Sequence, residues 1–474
     1  MKRFSILLAA AALLGAFAGC QKEPVGKVNE QSTNSYVSFT INFNSDVTKA
    51  DYGDGTLTSD GTDAEHDVKF AYLYFFQNEK YVKTIEIASG NITSTGTGVS
   101  PVKKTMVPTE LAAGAYNVYA TLNYQVADLN TSTTEDQYKQ KVFTFDPKSY
   151  EVSTSGIPMS SRSSNGTMCT SVTLESTHTK DNPCEFSLDM ERMVAKIQVQ
   201  KDATYKIYAD RLSSGTEVAT ATLTGYKAVN LTKSGYVFRH VGETSFGELT
   251  GADGAVTNYV VEPTTASKVI PTGTNPWPSI DYYNKVGAAD PYTAWTSTDM
   301  TLVNYCTENT MPTAEAQYTN FATGIAFAAQ LTPATGKYYA VASDNGTGSY
   351  TANSDLWYYN DCFYASLEVL NAANGLTLTT ENYGKFGVKK FVGGVCYYTY
   401  YISHISNGDN KSMGLMEYAI VRNNDYQVSV TKIMAVGEDV PTVKEQPIEM
   451  VETYFQATLT VKPWVVREQD AVLG

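Results

Sequence analysis

Four histidines, His66, His178, His240 and His404, are the whole imidazole supply of this 474-residue chain. None lies in an HExxH run or beside a GxSxG elbow, so the spacings of a zinc hydrolase and of a serine hydrolase are both missing. Loop or surface positions are expected for all four. Asp51, Asp54, Asp60 and Asp63 crowd one polar stretch, and hard cations do take several carboxylates from a flexible turn. Their spacing departs from the D-x-[DN]-x-[DN]-G loop, however, and Asp beside Gly is ordinary turn chemistry. Among 49 acidic residues no pair stands out as a glycosidase acid and base. Trp277, Trp295 and Trp357 suit a core as well as a sugar platform, the candidate platform being the run from Trp277 to Trp295. The expectation is a protein with no catalytic residue, no metal and no cofactor.

The cysteines divide differently. Met1, Lys2 and Arg3 precede an apolar run to Phe17, and Ala18, Gly19 and Cys20 follow it. Cations, a short apolar core and small residues make a secretory signal peptide, too short for a comfortable membrane span of about 20 residues. Cys20, directly after Phe-Ala-Gly, resembles the lipobox cysteine that receives a diacylglycerol, and acyl chains anchor a soluble domain at about 0.8 kcal/mol per buried CH₂. Cys169, Cys184, Cys306, Cys362 and Cys396 show no CxxC and no Cys/His zinc spacing. Cys169 and Cys184 are the disulfide candidate, and the odd count leaves at least one free thiol. The formal charge of −14, or −16 once Lys2 and Arg3 leave with the leader, argues against nucleic-acid binding.

The elements behind these residues are strands. The chain has 34 Tyr and 18 Phe and almost no helical periodicity. In "YVSFTINF", Val37, Phe39, Ile41 and Phe43 share one face, the period-two pattern of a half-buried strand. Similar runs begin at Val68, Lys80, Gly114, Val194, Gly324, Lys337, Val395, Asp425 and Tyr454, separated by Gly, Ser, Thr, Asn and Asp. Strands without alternating helices predict antiparallel sandwiches, and the length suggests two or three domains. The best helix is 362–374, stopped by Gly375 and expected as an insertion packed on a sheet.

Both ends invite assembly. The polar stretch 45–67 after the first strand is long for a compact domain and contains Lys49-Ala50, a protease-accessible site. A trypsin-like cut there would remove one strand and expose unpaired backbone, a ready template for another chain. After Pro463 the chain stays apolar through Trp464, Val465, Val466, Val472 and Leu473, as an end that docks would.

Taken together, the lipobox, "TKA" at Thr48, "GIPMSS" at Gly156, "ERMVAKIQV" at Glu191, "YVVEP" at Tyr259, "YCTENT" at Tyr305, "TGIAFAA" at Thr323, "YAIVRNNDYQVSVTKI" at Tyr418 and "LTVKPWVV" resemble the fimbrillin family. These are the pilin subunits of the type V fimbriae of Bacteroidia. The resemblance covers nearly the whole chain and implies a mainly all-β fold of two tandem antiparallel β-sandwich domains with a short helical insertion. It implies a signal peptide 1–19, a lipidated propeptide 20–49 carrying the first strand, an N-terminal sandwich 50–201 and a C-terminal sandwich 202–474. It also implies an outer-membrane lipoprotein precursor, matured by an extracellular trypsin-like protease at Lys49, where the family usually has arginine. The C-terminal strand of one subunit would then enter the groove of the next, with tip and anchor subunits as further partners, in a non-enzymatic surface fimbria supporting adhesion. The apolar tail favours a shaft subunit, with an anchor next. The alternative is a monomeric or anchoring surface lipoprotein that binds glycans or host proteins.

Overall fold

The computed structural model describes residues 35–43, 61–95, 102–108, 111–162, 168–202, 204–211, 215–241, 249–250, 256–257, 260–287, 292–294, 302–406, 408–409, 412–441, 444–451 and 454–463. Strands dominate these residues, and the fold is mainly all-β.

The first part of the chain supplies β1 (Tyr36–Phe43), β2 (Phe70–Gln77), β3 (Lys80–Ala88), β4 (Thr93–Thr95), β5 (Val102–Pro108), β6 (Gly114–Leu122), β7 (Val142–Thr144), β8 (Met159–Ser161), β9 (Thr170–Leu174) and β10 (Cys184–Arg192). All but β7 join one sheet in the order β3-β2-β6-β8-β10-β1-β5-β4, with β9 also on β6. The local chemistry is plain at the β2–β3 hairpin. Asn78 and Glu79 both take positive φ, the two-residue turn whose twist suits paired strands. The inward face of this sheet packs Leu73, Phe75, Val118, Leu188 and Met190 into one core.

Only Met193 and Val194 separate β10 from β11 (Ala195–Gln200), which starts a different sheet. After it come β12 (Tyr205–Tyr208), β13 (Glu217–Val229), β14 (Ser234–Tyr236), β15 (Leu302–Cys306), β16 (Gly324–Pro333), β17 (Tyr338–Tyr339), β18 (Leu356–Tyr359), β19 (Cys362–Tyr364), β20 (Lys389–Phe391), β21 (Val395–Tyr401), β22 (Asn424–Ile433) and β23 (Phe455–Pro463). The sheets β15-β11-β22-β23 and β12-β13-β16-β21 contribute Ile197, Val428, Ile325 and Phe327 to a second core. β14 returns to pair with β7, and Val237 and Phe238 after it close the first core.

Four expectations change. Pairing is not uniformly antiparallel: β1–β10, β11–β22 and β17–β19 run parallel. The partners in the first two are far apart in sequence, so the long connections that parallel strands require are available. The helix does not begin at Cys362, because Asn360 and Asp361 take positive φ and turn β18 back into β19. A helix follows over Leu367–Asn374, with Ser366 Oγ accepting from the Val369 amide and Gly375 left-handed at its end. It packs Leu370 on Trp357 and Tyr364 of the small sheet β17-β19-β18-β20. The run from Lys337 yields only Tyr338–Tyr339 as strand, since Asp344 draws the amides of Ala340, Val341 and Gly346 into a turn. Finally, Cys169 and Cys184 are both free thiols, as are Cys306, Cys362 and Cys396.

Candidate strand-exchange site

β1 does not lie at an edge. Its residues from Val37 to Phe43 run parallel to Cys184–Met190 of β10, and those from Tyr36 to Ile41 pair antiparallel with β5. Alternation then decides what points inward: Val37 and Phe39 are 0% and 1% exposed, and Phe39 stacks on Phe186 with ring centroids 6.1 Å apart. Ile41 and Phe43 sit opposite Leu188 and Met190 by register. The start of the strand is tied to a loop, with the Tyr36 amide donating to His178 O (3.1 Å) and Ser35 Oγ to Glu175 O (3.2 Å). β1 therefore fills a slot that is apolar beneath and offers hydrogen bonds along both sides.

β23 is built differently. Among the described residues it pairs only with β22, from Phe455 opposite Ile433 to Pro463 opposite Asn424, and stands last in its sheet. Ala457, Leu459 and Val461 pack against the second core but stay half-buried. Cys20, Lys49, Ala50, Trp464, Val465, Val466, Val472 and Leu473 lie outside the described residues, as do the side chains of Ile41 and Phe43.

Between slot and edge the structure places a group of charges that the reading of single residues passed over. Glu191 is the last but one residue of β10, Glu308 follows β15 and Arg422 precedes β22; all three are buried. The Arg422 guanidinium donates Nε to Glu308 Oε1 and Nη2 to Glu308 Oε2, both at 2.9 Å. It also donates to Val237 O (3.0 Å) and Tyr236 O (2.5 Å). Arg239 Nη2 meets Glu191 at 2.7 Å. Burial opposes both cations. At Arg239 it wins, lowering the pKa to about 10, whereas at Arg422 the Glu308 and Glu191 carboxylates outweigh it and the net shift is upward. On the other side of the turn, Glu65 in the helix α1 (Asp63–His66) takes Lys196 Nζ at 2.9 Å and the Tyr305 hydroxyl at 2.5 Å. Burial alone would raise the Glu65 pKa, but Lys196 and the Tyr305 hydrogen bond pull it below the usual value. The visible signal was charge inside apolar runs: Glu191, Arg192 and Lys196 in "ERMVAKIQV", Glu308 in "YCTENT" and Arg422 in "IVRNND".

The histidines and tryptophans weighed in the sequence take these places. His66 is buried in α1, unlike the loop or surface position expected of it, while His404 lies half-buried in the loop after β21 with Nδ1 2.8 Å from the Tyr426 hydroxyl. His240 is tied by Nε2 to Lys139 O at 2.9 Å. Trp277 is half-buried and packs against Tyr318 and Phe321, and Trp357 is buried; Trp295 lies outside the described residues. Among the described residues no three His, Cys, Asp or Glu gather as a metal site.

Residues 389–470 match the family described as "Major fimbrial subunit protein type IV, Fimbrillin, C-terminal". No curated protein matches the chain. Among solved structures, it is similar to a putative cell adhesion protein from Parabacteroides distasonis, at 13% identity over 91% of this chain and 100% of that one, with a TM-score of 0.47. A fimbrilin from Porphyromonas gingivalis gives 15% identity over 93% and 100%, with a TM-score of 0.45. A tip fimbrial protein from Porphyromonas gingivalis with a C-terminal truncation gives 11% identity over 91% and 100%, with a TM-score of 0.35. The match over 389–470 takes in β20 to β23, and it is this C-terminal part of the chain that is similar to the fimbrillin family of fimbrial subunits.

Proposed function

We propose that this protein is a fimbrial subunit and a polymerising shaft component, exported as a lipoprotein through Cys20 and matured by a trypsin-like cut at Lys49-Ala50. The cut releases the anchor together with β1. The C-terminal segment of a neighbouring copy, carrying Trp464, Val465, Val466, Val472 and Leu473, then fills the vacated slot. The chain acts as two sandwich units divided near the 201/202 boundary that the family resemblance implies, a reading supported by the change of sheet after β10. It is a structural protein, and its partners are other copies, tip and anchor subunits, and the protease.

One observation carries this reading: β1 is bonded along both sides and buries Val37 and Phe39, yet it is followed within ten residues by the cut site. Removing it leaves the facing edges of β5 and β10 without partners, and buried unpaired backbone is costly enough that a replacement strand is strongly favoured. An extended segment with alternating apolar residues supplies main-chain bonds for affinity and side-chain register for specificity. A slot on one copy and a tail on another do not close on themselves, so the assembly propagates as a filament.

The test is intact mass and native size of the purified chain lacking residues 1–20, before and after limited trypsin. Loss of the segment up to Lys49 followed by SDS-resistant ladders is the expected result. Deleting 464–474 should give the same cut but a stable monomer, and Lys49→Ala should block both cut and ladder. A clean cut with a monomer from the undeleted chain would instead indicate an anchor or a monomeric binder of glycans or host proteins. No cut near Lys49 would overturn the maturation step.

A further inference from the structure

The charges at the Met193–Val194 turn are arranged as a bridge. Glu191 belongs to β10, the strand that holds β1, while Arg422 lies two residues before β22, the strand that holds β23. Arg422 Nη1 lies 4.0 Å from Glu191 Oε1 while its fork grips Glu308. Arg162, just after β8, brings Nε to 3.9 Å from Glu191 Oε2, and Arg239, after β14, closes on the same oxygen. Backbone stitches accompany the charges: the Arg192 amide donates to Asn423 Oδ1 (3.3 Å) and the Asn423 amide to Val194 O (2.9 Å). The Glu65–Lys196–Tyr305 contacts tie the helix α1 of the first part to β11 and β15 on the other face of the turn.

We infer that the Glu191–Arg239–Arg422–Glu308 network is an orientation lock, fixing the angle between the β1-bearing sheet and the sheet that carries β23. A two-residue connection leaves the rotation of the sheets to the contacts across the seam, among them the β7–β14 pairing and the Glu65–Lys196–Tyr305 contacts. Apolar contact at this seam would hold them together without choosing an angle, because dispersion and burial are non-directional. A guanidinium fork meeting a carboxylate edge-on, with its remaining donors on Val237 O and Tyr236 O, accepts only a narrow range of geometries. Desolvating so many charges is expensive, and buried ion pairs often add little net stability over apolar residues of the same shape. Their presence is therefore better explained by specificity of arrangement than by strength. The inference stands whether or not the chain polymerises.

The decisive variant keeps the charge and removes the fork. Arg422→Lys retains a cation beside Glu308 but cannot make the bidentate contact or reach both carbonyls. Scanning calorimetry and small-angle scattering are run on the chain from residue 21. Wild type is expected to melt in one transition. Arg422→Lys should keep the far-ultraviolet circular dichroism of wild type, melt in two transitions about 5 °C or more apart, and show a larger maximum dimension in solution. If Arg422→Lys does not fold, Glu308→Asp, which shortens the carboxylate and keeps both charges, is read in the same way. A single transition that merely moves down, with unchanged scattering, would make the network an ordinary contributor to stability and overturn the lock. Two transitions in wild type would overturn it equally.

Discussion

β1 and β23 are the first and last strands described, and they are held in opposite ways. β1 has a partner on each side and two side chains sealed from solvent, whereas β23 has one partner and a half-buried face. An inserted strand leaves a two-sided vacancy when it goes, and its removal matters to everything around it. An edge strand can be lost or extended with far less consequence for its neighbours. A chain that assembles by strand exchange needs that asymmetry, with a strong slot at one end and an accessible launching strand at the other.

The largest test of the contrast is Phe39→Ala in the uncut chain. Phe39 is buried and stacked on Phe186, so its truncation should cost about 3–5 kcal/mol by denaturant unfolding. The same substitution should have no effect on the subunit after trypsin has removed 1–49, because the residue leaves with the segment. An equal loss before and after the cut would mean that β1 stays in place, and the exchange model would fail.

Leu459→Ala asks the matching question of β23. Its side chain is half-buried at the margin of the second core, so roughly 1–2 kcal/mol is expected, below the 2–5 kcal/mol typical of a sealed leucine. This loss should be the same in cut and uncut protein. A cost as large as that of Phe39→Ala would remove the distinction between slot and edge.

Much of this contrast was legible in the sequence. The alternation of Val37, Phe39, Ile41 and Phe43 marks a strand that must be buried, and Gly375 marks the helix end with the φ that only glycine adopts cheaply. The partners of β1 were not legible, because Cys184 and Pro108 are brought to it by tertiary folding and leave no local periodicity. The hairpin turn at Asn360-Asp361 was missed because Phe363, Leu367 and Leu370 also fit a helical stripe, and the turn residues alone break the tie. Glu191, Glu308 and Arg422 were present in the quoted motifs as charges inside apolar runs. What they touch depends on three segments more than 100 residues apart, so their pairing was invisible until the chain was folded.

The smallest effect separates the two regions by pH. His404 lies beside β22: its Nδ1 is 2.8 Å from the Tyr426 hydroxyl, which already accepts the Val421 amide at 2.9 Å. The hydroxyl proton is thus best given to His404, which must be neutral to accept it, and burial lowers the imidazole pKa to about 4. With the folded pKa below the unfolded value of about 6.5, the unfolded chain binds the extra proton as pH falls between these values. Stability is therefore full above the unfolded pKa and declines toward the folded one. The ceiling is about 1.4 kcal/mol per pH unit, and the solvent contact that His404 retains makes the slope shallower. Glu417, raised by burial, acts in the opposite sense, gaining a proton on folding, so the raw pH profile mixes the two. His404→Asn keeps an acceptor without titrating, and subtracting its profile isolates the histidine. The difference should shrink steadily from pH 6.5 to 4.5 in both cut and uncut protein, placing acid sensitivity on the β22–β23 side. A difference that does not change with pH would mean that His404 already titrates like a solvated imidazole, and acid would no longer distinguish the edge from the slot.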